Sequence, residues 1–279
     1  MGRVPKELHL YWDGSNMSRL QTFTVTSFHK LNPDWNINIY MPKKKYDGSM
    51  RFSFIPNYVG PDYFHLIKEL DYVNIVTIDL DAYAIRRDIH DILRSDIFRY
   101  HILHDIGGVW SDFDVIWLKP MSHFNNIEYH GNTPIKDVSA IASFIQGTHG
   151  GHSIGIMIHA KHDPYAKALV EATKRVKPPF SHEVFGAVML NRNHPTLASL
   201  SVFEGVIGAR FETYYPYIIH PPNATIHKLY FENDLSCINN NVMCVHWYNG
   251  HKLSKHYINS DGFNRDCSMT TILKNEGLI

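Results

Sequence analysis

The chain has 279 residues, of which 44% are hydrophobic and 19% charged, and its 27 Lys and Arg are balanced by 27 Asp and Glu. Such a chain can bury a sizeable core as one large α/β unit or one unit with two lobes, which excludes a disordered or collagen-like polymer. Zero net charge also excludes a globally basic surface that would hold a nucleic-acid backbone by counterion release, leaving only a local basic groove for that role.

The opening MGRVPKELHLYWDG lacks the apolar core of about 7 to 15 residues found in secretory signals, and no run approaches the roughly 20 apolar residues of a membrane span. A cytoplasmic protein is expected. The 3 cysteines, Cys237, Cys244 and Cys267, are odd in number and form no C-x-x-C pair, so reduced thiols are expected rather than a disulfide framework. With 19 histidines present, position and not abundance must decide which of them carries chemistry.

In chain order, Leu8 to Trp12 reads as a short strand, and Ser18 caps a helix through Leu31 in which Leu20, Phe23, Phe28 and Leu31 approximate helical spacing. Asn32-Pro33-Asp34 ends that helix. Asn36 to Tyr40 and Tyr72 to Leu80 read as strands, and Lys43 to Lys45 as a solvated loop between them. From Asp88, taken as a cap, the apolar residues Ile89, Leu93, Ile97, Tyr100 and Leu103 recur every three or four positions and describe a helix to Asp105. Gly107-Gly108 stops it and Val109-Trp110 opens a strand. The second half predicts strands at Val138 to Ile145 and Gly155 to His159, a helix from Pro164 to Val176, and a short helix from Glu183 to Leu190. Strands at Tyr214 to Ile219 and Val242 to His246 then precede a polar tail. Alternating strands and helices indicate a mainly parallel sheet whose ligands bind beyond the strands' carboxyl ends.

Asp112-Phe113-Asp114 lies at such an end. In an extended segment its two carboxylates share one face while Phe113 points inward, giving two hard oxygen donors suited to Mg2+ or Mn2+. Asp79-Leu80-Asp81 has the same spacing, but its setting also fits a loop that caps a helix. Asp96 and Arg99 lie three apart on one helix face, and that helix delivers the chain through the glycine doublet to the favoured acids. Downstream, His246 ends a strand and Lys252 follows six residues later in a polar turn, an imidazole for a metal and a cation for a phosphate.

The block SDIFRYHILHDIGGVWSDFDVIWLKP, Ser95 to Pro120, resembles the signature of DXD-containing glycosyltransferases of the family 32 type, related to capsular polysaccharide and α-mannosyl transferases. VPKELHLYW, Val4 to Trp12, resembles that family's first strand, and CVHWYNG, Cys244 to Gly250, its carboxyl-terminal His-Trp segment. The Gly-Pro step usual before the late helix is replaced by Ser181-His182-Glu183. The resemblance implies a single GT-A domain over residues 1–279, an α/β fold in which a Rossmann-like nucleotide-sugar-binding half, 1–120, joins a smaller acceptor half, 121–279. It further implies retaining transfer of a sugar from a UDP- or GDP-sugar to a hydroxyl. Carried over by position, Asp114 ligates Mn2+ or Mg2+, Asp112 ligates it or holds donor hydroxyls, and His246 closes the metal site. Asp96 and Arg99 touch the donor sugar, Tyr11 or Trp12 stacks on the base, and Lys252 meets the β-phosphate.

Physical chemistry favours the same assignment, because breaking a sugar–phosphate bond places negative charge on a departing diphosphate, which a divalent cation and a lysine stabilise most in the transition state. No activated Ser or Cys is required, and the resemblance implies that the leaving phosphate accepts the acceptor's proton. Glu183 and His152 are alternative acceptor-side bases. A glycan is the default acceptor; a protein or a hydroxylated DNA base is an alternative, the latter served by Lys43, Lys44, Lys45 and Arg51 as a local basic edge. The rival classes are a glycoside hydrolase, which needs two separated carboxyl groups and no diphosphate site, and a non-catalytic carbohydrate- or metal-binding protein.

Overall fold

The computed structural model describes residues 3–46, 58–130, 137–144, 153–219, 224–260 and 262–279. In chain order the elements are β1 (Glu7–Tyr11), α1 (Arg19–Leu31), β2 (Asn36–Pro42), α2 (Phe64–Lys68), β3 (Val73–Ile78), α3 (Asp91–Asp105), β4 (Gly108–Ser111) and β5 (Val115–Trp117). Then follow β6 (Tyr129–His130), β7 (Ala140–Phe144), β8 (Ser153–His159), α4 (Pro164–Thr173), α5 (Ala187–Asn193), β9 (Val206–Arg210), α6 (Ile226–Phe231), β10 (Cys244–His246), α7 (Lys252–Ile258) and α8 (Ser268–Asn275).

Eight strands form one sheet in the order β3-β2-β1-β4-β8-β7-β9-β6. The first four are parallel, and β8 adds antiparallel to β4, pairing Trp110 with Met157 and Ser111 with Ile156. The chain steps outward from β1 to β3 on one side and returns to β4 on the other, so a topological switch point, where α/β sheets bind ligands, falls beyond the carboxyl ends of β1 and β4. This is the α/β arrangement expected from the sequence, with a parallel half in a mixed sheet. A separate ribbon pairs β10 antiparallel with β5, setting His246 opposite Val115 and so bringing a segment more than 120 residues away in sequence beside the D-x-D turn.

Period-two alternation explains the layering. Leu8 and Leu10 of β1, with Ile37 and Ile39 of β2, face Val25 and Phe28 of α1, while the opposite face packs Tyr40 and Trp110 on Leu93, Phe98 and Tyr100 of α3. A third cluster joins Ile116 and Val245 of the ribbon to Leu229, Tyr257 and Leu273 of α6, α7 and α8. His9, fully buried between β2 and β4, is satisfied at both nitrogens: Nε2 lies 2.8 Å from the Gly107 carbonyl and Nδ1 3.0 Å from the Tyr40 hydroxyl. Burial pushes its pKa below the usual imidazole range, so the neutral ring donates to Gly107 and accepts from Tyr40.

Ser18 caps α1 as expected, and Gln21 completes a capping box by accepting from the Ser18 amide. Four expectations are corrected. The cap of α3 is His90, whose Nδ1 accepts from the Ile92 amide, because Asp88 is held at the surface by Arg86. Tyr214 to Ile219 is not a strand; its aromatic residues Tyr214, Tyr215 and Tyr217 are buried as core packing after a 3-10 turn at Phe211–Thr213. The short helix expected from Glu183 begins at Ala187. The polar tail forms α7 and α8, whose inner faces are apolar at helical spacing. Ile145 and Arg51 lie outside the described residues. No helix among the described residues is long and apolar enough to cross a membrane.

Candidate active site

The glycine doublet sets the site up. Both glycines have positive φ, 76° and 109°, and a Cβ on Gly108 would lie 2.4 Å from the Glu7 carbonyl oxygen, so α3 can turn directly into β4 only with glycine here. β4 then carries the chain to Asp112, whose amide donates to the Gly155 carbonyl at 2.8 Å. Phe113 points into the core, edge-on to Trp12 at 5.2 Å, and leaves the flanking acids on the other side.

Asp112, Asp114 and His246 each offer one ligand atom, and these atoms all lie within 4.8 Å of one another. Asp114 is held from the carboxyl-terminal segment: its Oδ2 accepts from the Asn249 amide at 2.7 Å, and its carbonyl accepts from the Trp247 amide at 2.8 Å. Tyr248 turns that segment with a φ of 53°, a left-handed conformation that costs a non-glycine residue roughly 1–2 kcal/mol. Asp114 Oδ1 is buried and lies 3.0 Å from His246 Nε2, within ion-pair distance. Burial pushes the Asp114 carboxyl up, but the His246 imidazole and the Asn249 amide outweigh it and hold the group below the usual carboxylate range. For Asp112 burial wins: its pKa is raised despite Arg99, with the neighbouring Asp114 charge adding to the rise.

Behind the pair, Arg99 is buried, its Nη2 donating to Asp96 at 2.7 Å and lying 3.3 Å from Asp112, its Nη1 donating to the Ile154 carbonyl. Its guanidinium also lies 4.8 Å from the centre of the Trp110 ring, whose Nε1 donates to Asp112 Oδ1 at 2.9 Å. Arg99 therefore bridges two carboxylates as part of a buried network. Burial drives Asp96 up to about 7, against the pull of Arg99.

The donor chemistry fits a divalent cation: two carboxylates and an imidazole whose ligand atoms lie within 4.8 Å of one another. The decoy pair behaves differently. Asp79 accepts from the Asp81 amide at the start of a 3-10 turn, and Asp81 is paired with Arg87 and Lys44.

The remaining candidates are scattered around this centre. Trp12 is 7% exposed, stacked on Phe64 with its Nε1 donating to the Ser15 carbonyl. Tyr11 is half-buried at the end of β1 and donates to Asp91 at 3.0 Å. Lys252 is exposed at the first turn of α7. Glu183 is exposed, near enough to Asp96 to raise its pKa, and His152 lies outside the described residues. Sequence reasoning missed Lys255, which is buried and donates to Asn249 Oδ1 at 2.7 Å, its pKa pushed down to about 8 by burial. Its place on the inner face of α7, where Ser254 and Tyr257 are also buried, follows helical spacing that a polar reading of the tail hid. Gly155, Tyr215 and Tyr248 also border the centre, and no sequence signal marked them.

Residues 18–133 match the family of the glycosyltransferase sugar-binding region containing the DXD motif. The matched residues include Ser95 to Pro120, the block on which the resemblance was read. The chain is 30% identical over 147 residues to the initiation-specific alpha-1,6-mannosyltransferase of Saccharomyces cerevisiae, a match covering 45% of this chain and 30% of the relative's length. Among solved structures it is similar to the galactosyltransferase LgtC in complex with donor and acceptor sugar analogues, at 13% identity and a TM-score of 0.48 over 98% of this chain and 96% of that one. The PaToxG glycosyltransferase is similar at 21% identity and a TM-score of 0.43 over 71% and 73%.

Proposed function

We propose that the protein is a metal-dependent glycosyltransferase that moves a sugar from a nucleoside diphosphate to a hydroxyl group, a glycan being the expected acceptor. The observation that carries this reading is the convergence of Asp112, Asp114 and His246, inside and opposite the matched DXD region. Asp114 and His246 would hold a divalent cation, and Asp112 would either join them or bind donor hydroxyls. Bound there, Mn2+ or Mg2+ supplies Lewis-acid neutralisation of a diphosphate leaving group.

The chain's own residues hold that arrangement. Arg99 and Trp110 fix Asp112 from behind, and the Asn249 amide fixes Asp114 from the side. The buried Arg99–Asp96 pair keeps the floor of the site rigid, so the carboxylates need little reorganisation when charge develops above them. Tyr11, at the end of β1 and less buried than Trp12, would lie against the base. Lys252, exposed beside the same segment, is proposed to reach the β-phosphate. Residues 1–120 would bind the donor and 121–279 the acceptor, with retention at the anomeric carbon taken from the family resemblance. Among donors a GDP- or UDP-linked mannose is the first to test, on the strength of the mannosyltransferase relative.

A thermal-shift panel of nucleotide sugars with Mn2+ tests the reading, because a ligand that binds only the folded state raises the melting point. A metal-dependent rise for one donor, followed by release of its nucleoside diphosphate on adding acceptor, is expected. A panel with no response, or a response unchanged by EDTA, would reject it.

A further inference from the structure

Gly155 lies inside β8, where a glycine weakens a strand and where its φ is outside the left-handed region, so the backbone does not demand it. Space does. A methyl group there would sit 2.8 Å from the Tyr215 hydroxyl oxygen, 3.0 Å from His246 Nε2 and 3.2 Å from Asp112 Oδ2. Three polar atoms thus converge on the volume that a side chain at 155 would occupy, and two of them belong to the candidate metal-ligating residues Asp112 and His246.

Tyr215 is a built part of this corner. It is 1% exposed and belongs to the aromatic segment after the Phe211–Thr213 turn, with its ring stacked on Phe211 at 4.3 Å and tilted against His246 at 4.7 Å. Tyr248 closes on the imidazole at the same 4.7 Å and lies 5.9 Å from Tyr215, so the three rings form one cluster. The Ser153 hydroxyl donates to the Tyr215 oxygen, which leaves the phenolic hydrogen to donate elsewhere. Oxygens and one imidazole nitrogen are the donor types that Mn2+ and Mg2+ sites use, and hydrogen bonds from groups just outside the ligands orient them.

We infer that Gly155 and Tyr215 are positioning residues of the cation site: Gly155 by keeping the seat open, and Tyr215 by orienting His246 and donating its hydroxyl to an oxygen held there. The inference rests on the reading of Asp112, Asp114 and His246 as that site. It commits the acceptor-side strand β8 to cation binding, so that the two halves of the chain share one centre.

The test is isothermal titration of Mn2+ into the full chain, with metal-free melting curves alongside. Wild type, Gly155→Ala, Tyr215→Phe and, as a reference without a site, Asp114→Asn are compared. Gly155→Ala should weaken Mn2+ binding at least tenfold, and Tyr215→Phe, which keeps the ring stack, about tenfold, the usual cost of losing an outer-shell partner. Metal-free melting points should stay close to that of wild type. Mn2+ affinity within twofold of wild type in folded Gly155→Ala overturns the role of Gly155, and the same result for Tyr215→Phe overturns that of its hydroxyl. Should Gly155→Ala not fold, Tyr215→Phe decides alone. A wild-type chain that binds Mn2+ but turns over no nucleotide sugar defeats the proposed function and not this inference; one that transfers sugar without binding Mn2+ defeats this inference and not the transfer.

Discussion

Replacing Arg99 by Met keeps the length of the side chain and removes its charge from the centre of a buried network. Arg99 is 3% exposed and Asp96 8%, with 2.7 Å between them, so solvent screens their attraction little, and Asp112 loses a neighbour at 3.3 Å in the same step. Removing one partner of such a buried pair costs about 3–5 kcal/mol, mostly the penalty of leaving the other charge without compensation. At about 2 °C per kcal/mol for a chain of this size, the metal-free melting point should fall by roughly 6–10 °C. Asp96, already raised to about 7, should take up a proton in the variant, so adding Asp96→Asn should recover a good part of the loss. Urea denaturation followed by circular dichroism, with EDTA present so that metal linkage does not intervene, measures all three states. A loss below about 1 kcal/mol, or a double variant no better than the single one, would refute the network described here.

Asp114→Asn should abolish most Mn2+-dependent turnover with the fold intact, whereas Asp79→Asn, which keeps an oxygen to cap its 3-10 turn, should leave turnover unchanged in the same assay. His9 is buried neutral with its pKa lowered, so its contribution to stability is present above the ordinary imidazole pKa of 6.5 and is lost as pH falls below it; His9→Gln should show a shallower fall in stability from pH 7 to pH 5 than wild type. Lys255→Met should change stability at pH 7 by less than about 1 kcal/mol, because burial already disfavours the ammonium, whereas Mn2+ titration should show about tenfold weaker binding once Asn249 loses its anchor.

Local chemistry was the legible part of the sequence. Ser18 and Gln21 announce a helix start because their side chains satisfy backbone groups three residues apart, and Gly107-Gly108 announces a sharp stop because it alone accepts the required φ. The D-x-D acids were legible for the same reason: alternation on an extended segment fixes which way each side chain points. What failed was decided across the chain. Tyr214 to Ile219 has the composition of a strand, but its aromatic residues serve packing against distant partners, Phe124 and His246 among them. Asp88 looks like the better cap than His90 until Arg86 claims it. The burial of Trp12 beside Phe64 and Phe113 was not legible either, because Phe64 comes from a distant segment. Gly155 is one glycine among 17, and only the approach of side chains from three other segments gives it meaning.

The most direct measurement is anomalous diffraction at the manganese edge from crystals grown with Mn2+ and a nucleoside diphosphate sugar. The account expects one strong peak bonded to Asp114 and His246, within reach of Asp112, with a diphosphate oxygen completing it. A donor bound elsewhere, with no manganese beside Asp114, would contradict it.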